Sequence, residues 1–82
     1  MVARIGDDEA GRFIRDEFVS EGVGVTRLIS EANALSSVSN VLVDEKDGER
    51  SFICRKATSS PLRVEDISRE AIRSAQALFV DS

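Results

Sequence analysis

The sequence predicts an α/β fold in which two helix–strand units of one sheet flank a small antiparallel insert. Three observations carry this expectation. Residues 3–14 read as a short strand, a glycine turn, an acidic cap and the first turns of a helix. Two alternating runs, 35–43 and 50–55, bracket Asp47-Gly48, a hairpin turn signal. Near the end, Leu78-Phe79-Val80 is apolar on both faces, as a central parallel strand is.

Each element has a local reason. Val2-Ala3-Arg4-Ile5 supplies the first strand, and Gly6 is expected to take an unusual backbone angle at the turn. Asp7 or Asp8 then caps the helix, and Asp7, Asp8 and Glu9 together suit the positive end of its dipole. Ala10, Phe13, Ile14 and Phe18 recur at helical spacing on one face. Gly11 shares that stripe and costs about 1 kcal/mol of helix propensity, which close packing against the sheet would explain. Gly22 ends the helix as a C′ residue. Residues 23–29 are β-rich with a bend at Gly24, and 30–34 read as loop. Residues 56–61 break the pattern as a crossover linker. Val64 to Ile67 predicts one helical turn, and Ser68 caps a second helix with Ala71, Ile72 and Ala75 on its apolar face.

Composition narrows the function. The 82 residues make one domain or part of one. A chain this short buries only about 60% of its unfolded surface, so a self-standing core is marginal. Trp and Tyr are absent, Phe occurs four times, and the net charge is −4 with 11 scattered basic residues. Neither nucleic acid nor an anionic membrane is therefore an expected partner. Cys54 is the single cysteine and there is no His, which excludes an intrachain disulfide framework and a Cys-His nucleophile. Met1-Val2-Ala3-Arg4-Ile5 followed by acid shows no apolar leader, and a cytoplasmic location is expected.

Several stretches mimic sites. Gly6-x-x-x-x-Gly11 has P-loop spacing, but Arg12 and Phe13 stand where Lys and Ser or Thr belong, and acids fill the loop. Asp7, Asp8 and Glu9 could bind a hard cation or work as acid and base. Capping and the dipole account for them with nothing further, and one contiguous triplet rarely surrounds an ion. Residues 44–49 fail the calcium-loop pattern at Lys46. Ser36, Ser37 and Ser39 beside Asn40 are either a half-exposed strand face or a hydroxyl-lined surface for a polyol. Cys54 reads as a small strand hydrophobe. Arg55 and Lys56 either meet an anion or are solvated. Asp81 and Ser82 follow a candidate parallel strand, where open α/β sheets bind ligands.

The assembled series resembles the ribokinase-like (PfkB) carbohydrate kinase family. Its members carry G-x-x-G-D-D-x-x-G before a helix, then EGV, a β lid, and VDE-x-GER. Here these stand as Ile5-Gly6-Asp7-Asp8-Glu9-Ala10-Gly11, Glu21-Gly22-Val23, Val41-Leu42-Val43-Asp44-Glu45 and Gly48-Glu49-Arg50. The resemblance implies a segment of a ribokinase-like Rossmann-type sheet with a small antiparallel β lid inserted between two helix–strand units. Residues 1–22 would be the strand and helix of the main domain, 23–56 the lid, and 57–82 the helix and strand that return.

It also implies phosphoryl transfer from ATP, with Mg2+, to a hydroxymethyl group of a sugar or nucleoside in the complete enzyme. Ser39 and Cys54 would face the sugar, with Ser37 and Arg55 as neighbours. Gly6, Asp7, Asp8 and Gly11 would be architectural. The lid could also form a homodimer. Ser36-Ser37-Val38-Ser39 resembles members that handle ketose or modified-sugar substrates. The Gly-Gly-x-x-x-Asn sugar motif, the Asn-x-x-Glu motif and the Gly-Ala-Gly-Asp loop do not occur in the sequence. Phosphoryl transfer needs a phosphate cradle, a metal and a base together. The segment is therefore expected to lack an ATP site, a metal and a catalytic base, and to be inactive alone. The rival readings are a non-catalytic interaction or self-association module and a truncated product with no activity.

Overall fold

A computed structural model describes residues 1–81. The elements are β1 (Ala3–Gly6), α1 (Glu9–Ser20), β2 (Leu28–Glu31), β3 (Val38–Val43), β4 (Arg50–Arg55), a 3-10 turn (Val64–Asp66) and α2 (Arg69–Ser74). They form two sheets of two strands each. In the first, β1 pairs with β2 in parallel, Ala3 opposite Leu28 and Gly6 opposite Glu31. In the second, β3 pairs with β4 antiparallel, Val38 opposite Arg55 and Val43 opposite Arg50.

The first unit is built as a strand–helix–strand crossover. Asp8 is the N-cap of α1: its side chain accepts from the Gly11 N–H at 3.0 Å. The helix closes in a Schellman motif. Gly22 has φ 76°, its N–H donates to the Val19 carbonyl, and the Val23 N–H donates to the Phe18 carbonyl. A turn follows in which the Leu28 N–H donates to the Val25 carbonyl.

That turn displaces the expected strand. The β-rich run 23–29 becomes strand only from Leu28, and Ser30 and Glu31, expected in a loop, continue it. Parallel pairing needs a crossover connection, and α1 provides it. Residues 28–31 therefore pair with β1, and among the described residues the antiparallel sheet has two strands.

The glycines at the corner act through space. Gly6 has no left-handed φ, contrary to expectation. A Cβ there would run into the Ala34 carbonyl and the Leu35 backbone. A Cβ at Gly11 would strike the Gly6 carbonyl. α1 thus sits directly on the end of β1, the close packing that its sequence anticipates.

The core is small. Ile5, Leu28 and Ala34 are its buried apolar residues, with Ser36 buried beside them. Phe13, on the apolar stripe of α1, is 68% exposed. The hairpin is exposed along both strands. Its turn closes through Asp44 N–H to the Glu49 carbonyl and through Gly48 at φ 73°. α2 begins as expected, with the Ser68 hydroxyl accepting from the Ala71 N–H at 3.2 Å.

Leu78-Phe79-Val80 forms no strand, and Phe79 is 87% exposed. A strand apolar on both faces needs a layer over each face. Val2, Leu62, Ile67 and Ile72 border a cavity of about 230 Å³ together with these three.

Gly11→Ala tests the corner. It gains about 1 kcal/mol of helix propensity, but overpacking against the Gly6 carbonyl costs about 1–3 kcal/mol. Net destabilisation is expected in urea unfolding; a stabilised variant would contradict the close approach.

Candidate functional site

A cluster of polar groups converges where β1 meets α1. Asp8 Oδ1 accepts from the Gly11 N–H and from the Ser36 hydroxyl at 2.9 Å. Asp8 Oδ2 accepts from the Ser36 N–H at 3.1 Å and from Arg55 Nη2 at 3.1 Å. The Ser36 Oγ in turn accepts from the buried Gly6 N–H at 2.9 Å. Arg55 Nη2 also donates to the Ser36 carbonyl at 3.1 Å. One carboxylate therefore caps α1, holds the segment entering β3 and meets the last residue of β4. Partial burial pushes the Asp8 carboxyl up, but the Gly11 and Ser36 hydrogen bonds and the Arg55 charge outweigh it, and the net shift is downward.

Asp7 has a separate task. Its Oδ2 accepts from the Asn33 N–H at 3.0 Å, and its carbonyl accepts from Arg12 Nη1 at 2.8 Å. Asn33 sits at φ 57°, in the left-handed region that Asn tolerates. Among the described residues no group of three or more Asp, Glu or Cys comes together to hold a metal ion.

A second polar centre fastens the C-terminal part. Arg4 on β1 forks onto Asp66, Nε to Oδ2 at 2.9 Å and Nη2 to Oδ1 at 3.2 Å, with Glu31 Oε1 at 3.5 Å. Glu31 Oε2 accepts from the Ser60 N–H at 3.0 Å. The Arg4 hydrogen bond and then the Arg63 N–H hold the Asp66 carboxyl below its usual range, against the opposing effect of burial.

A cleft of about 520 Å³ opens between α1 and the base of the hairpin. Glu9, Ala10, Phe13 and Ile14 form one wall; Ser37, Val38 and Arg55 form the other. Of the four residues that the sequence points to as substrate-binding, Ser37 and Arg55 border this cleft. Ser39 and Cys54 do not. They are cross-strand neighbours whose side chains alternate to the other face of the hairpin from Val38 and Arg55. The Ser39 hydroxyl donates to Cys54 Sγ at 3.3 Å, and that face is open to solvent. Asp81 borders the C-terminal apolar cavity; Ser82 lies outside the described residues.

Ser36 is the residue whose part the sequence conceals. It reads as one more hydroxyl of a strand face, yet it precedes β3 and is 3% exposed. The Asp8–Arg55 pair spans 47 positions and the Arg4–Asp66 pair 62. Each is a charged residue of ordinary type, and no local spacing marks such pairs.

The model of the pfkB family carbohydrate kinases matches residues 1–82, the whole chain. Aminoimidazole riboside kinase of Salmonella typhimurium is 50% identical over 52 residues, which are 63% of this chain and 16% of that one. The crystal structure of fructokinase from Xylella fastidiosa superposes with a TM-score of 0.72 at 27% identity, over 90% of this chain and 23% of that one. Fructokinase from Vibrio cholerae O395 gives 0.65 at 32% identity, over 82% and 23%. The chain thus spans less than a quarter of the length of each of these relatives.

Two predictions follow from the polar centres. Ser36→Ala removes the acceptor for the buried Gly6 N–H, a loss of about 1–3 kcal/mol that urea unfolding would register. The second concerns pH. Asp8 and Asp66 are more acidic folded than unfolded, so on acidification the unfolded chain takes up protons first. The stabilisation is complete well above the ordinary carboxylate pKa of about 3.9. It is lost as pH falls through the lower folded values. The thermal midpoint should stay level from neutral pH until it drops in that acid range, and Asp66→Asn should flatten part of the drop. An equally steep drop in the variant would remove Asp66 from the account.

Proposed function

This chain belongs to the pfkB family of carbohydrate kinases, and from that premise we propose that it is the lid-bearing segment of an ATP-dependent sugar kinase. The complete enzyme transfers a phosphoryl group to a sugar hydroxymethyl group in the cytoplasm. Its substrate class follows the relatives: a ketose, as the fructokinases are named for, or a modified riboside. The observation that carries the reading is the β3–β4 hairpin. It stands away from the β1–α1–β2 unit with one face, that of Ser39 and Cys54, polar near its base and open.

In this role residues 1–22 and 57–82 belong to the main domain, and the lid lies within 23–56. The lid covers the bound sugar and keeps water from the reacting phosphate, which is how closing elements serve phosphoryl transfer. Ser39 and Cys54 face the sugar, while Ser37 and Arg55 flank it at the lid base. Gly6, Asp7, Asp8 and Gly11 build the corner from which the lid springs.

In this reading the ATP and Mg2+ of the complete enzyme are held by groups other than those of this segment. Asp7 and Asp8 are committed to backbone and Ser36 donors, and the loop they occupy would repel phosphate. Incubated with ATP, Mg2+ and a panel of ketoses and ribosides, the isolated chain should yield no sugar phosphate; measurable product would overturn this. A substrate sugar should raise its thermal midpoint, and Ser39→Val should abolish the rise.

A second reading, a self-association module, is favoured by the hairpin's exposed apolar side chains. Val41, Leu42, Val43, Phe52 and Ile53 are all at least half exposed. Sedimentation decides whether it applies. Concentration-dependent dimers that Phe52→Ser dissolves would support a homodimer through the lid, and a monomer at every concentration would remove it.

A further inference from the structure

We infer that Arg55 is the pin that sets the angle of the hairpin on the β1–α1 corner, acting through Asp8 and the Ser36 carbonyl. The inference rests on the lid reading and assigns Arg55 a positioning role beside the sugar-facing pair.

The argument begins with what does not hold the hairpin. Every residue of β3 and β4 is exposed, so apolar burial does little to fix the direction in which the strands leave the corner. The cleft beneath the hairpin base leaves space on the α1 side for it to tilt. Orientation must therefore come from polar contacts at the base.

Those contacts fall into two groups. The first secures the segment before β3. Ser36 bonds to Gly6 and Asp8, and Leu35 bonds to Thr58 through the Thr58 hydroxyl at 2.7 Å and the Thr58 N–H at 2.9 Å. All of these lie outside the strands and would survive rotation about residues 37 and 56. The second group lies within the hairpin itself. Arg55 is the last residue of β4, and its Nη2 reaches both Asp8 Oδ2 and the Ser36 carbonyl, each at 3.1 Å. Among the described residues, these are the side-chain bonds that tie a hairpin strand to the corner.

The geometry also explains why the pin is an arginine. One guanidinium nitrogen donates to a carboxylate and a carbonyl together, and its plane restricts the directions from which both are met. Asp8 is firmly placed because it caps α1. A rigid acceptor and a planar donor define an angle, whereas a flexible ammonium would define only a distance.

Spin labels on the 82-residue chain test this. With Cys54→Ser removing the native thiol, labels at Glu45→Cys near the hairpin turn and Glu17→Cys on α1 report the hairpin direction. Pulsed electron resonance should give a narrow distance distribution for this background. Arg55→Gln should broaden it with the α1 circular dichroism unchanged, and Arg55→Lys should leave it between the two. Asp8→Asn should broaden it as well, though it also weakens the cap, so Arg55→Gln is the deciding variant. An unchanged distribution in Arg55→Gln overturns the inference. So does loss of the helix signal, since Arg55 would then be needed for the fold itself. Failure of the lid reading looks different: Arg55→Gln would broaden the distances while no sugar raised the thermal midpoint of the unsubstituted chain, which keeps Cys54.

Discussion

The Asp8 carboxylate is the constraint on which the rest of the molecule depends. It sits at the start of α1, so its position is fixed by the first free N–H groups of the helix. It accepts from Gly11, Ser36 and Arg55, which belong to the helix, the entry to the hairpin and the exit from it. A cap alone would satisfy the helix. By using both oxygens, Asp8 also decides where the hairpin begins.

This arrangement demands room at the backbone. Gly6 and Gly11 are both required because Ala34, Leu35 and the Gly6 carbonyl occupy the space that side chains would take. With the two backbones in contact, Ser36 reaches the Gly6 N–H and Asp8 with one hydroxyl. The motif is therefore a spacing device, and its acids belong to a joint between strand, helix and hairpin. On the far side, Arg4 and Asp66 tie β1 to the 3-10 turn, so the C-terminal part is held by a forked ion pair while its apolar run remains largely open.

The balance of buried and exposed surface is the physical counterpart of the family comparison. The chain superposes on the Xylella fastidiosa fructokinase over 90% of its own length and 23% of that one's, and it leaves several apolar side chains exposed. The polar joint at the corner orders the elements locally, where a small apolar core would leave them loosely placed. The same local order gives the hairpin a defined direction although both its strands are exposed.

The sequence by itself determined what depends on neighbours in the chain. Ser68 as a cap, one of Asp7 and Asp8 as the other, Gly22 as helix end and the hairpin about Asp47-Gly48 all follow from short-range geometry. The motif series was legible enough to identify the family. Tertiary structure decided what depends on distant partners. Leu28–Glu31 paired with β1 because the crossover brought a free edge to it, although its residues read half as loop. Leu78-Phe79-Val80 formed no strand because its two faces lack covering layers. Ser37 was separated from Ser39 because β3 starts only at Val38, which leaves Ser37 at the cleft. Ser36 became a buried joint only because two glycines let backbones meet, and contact between segments 30 positions apart leaves no periodic trace in a sequence.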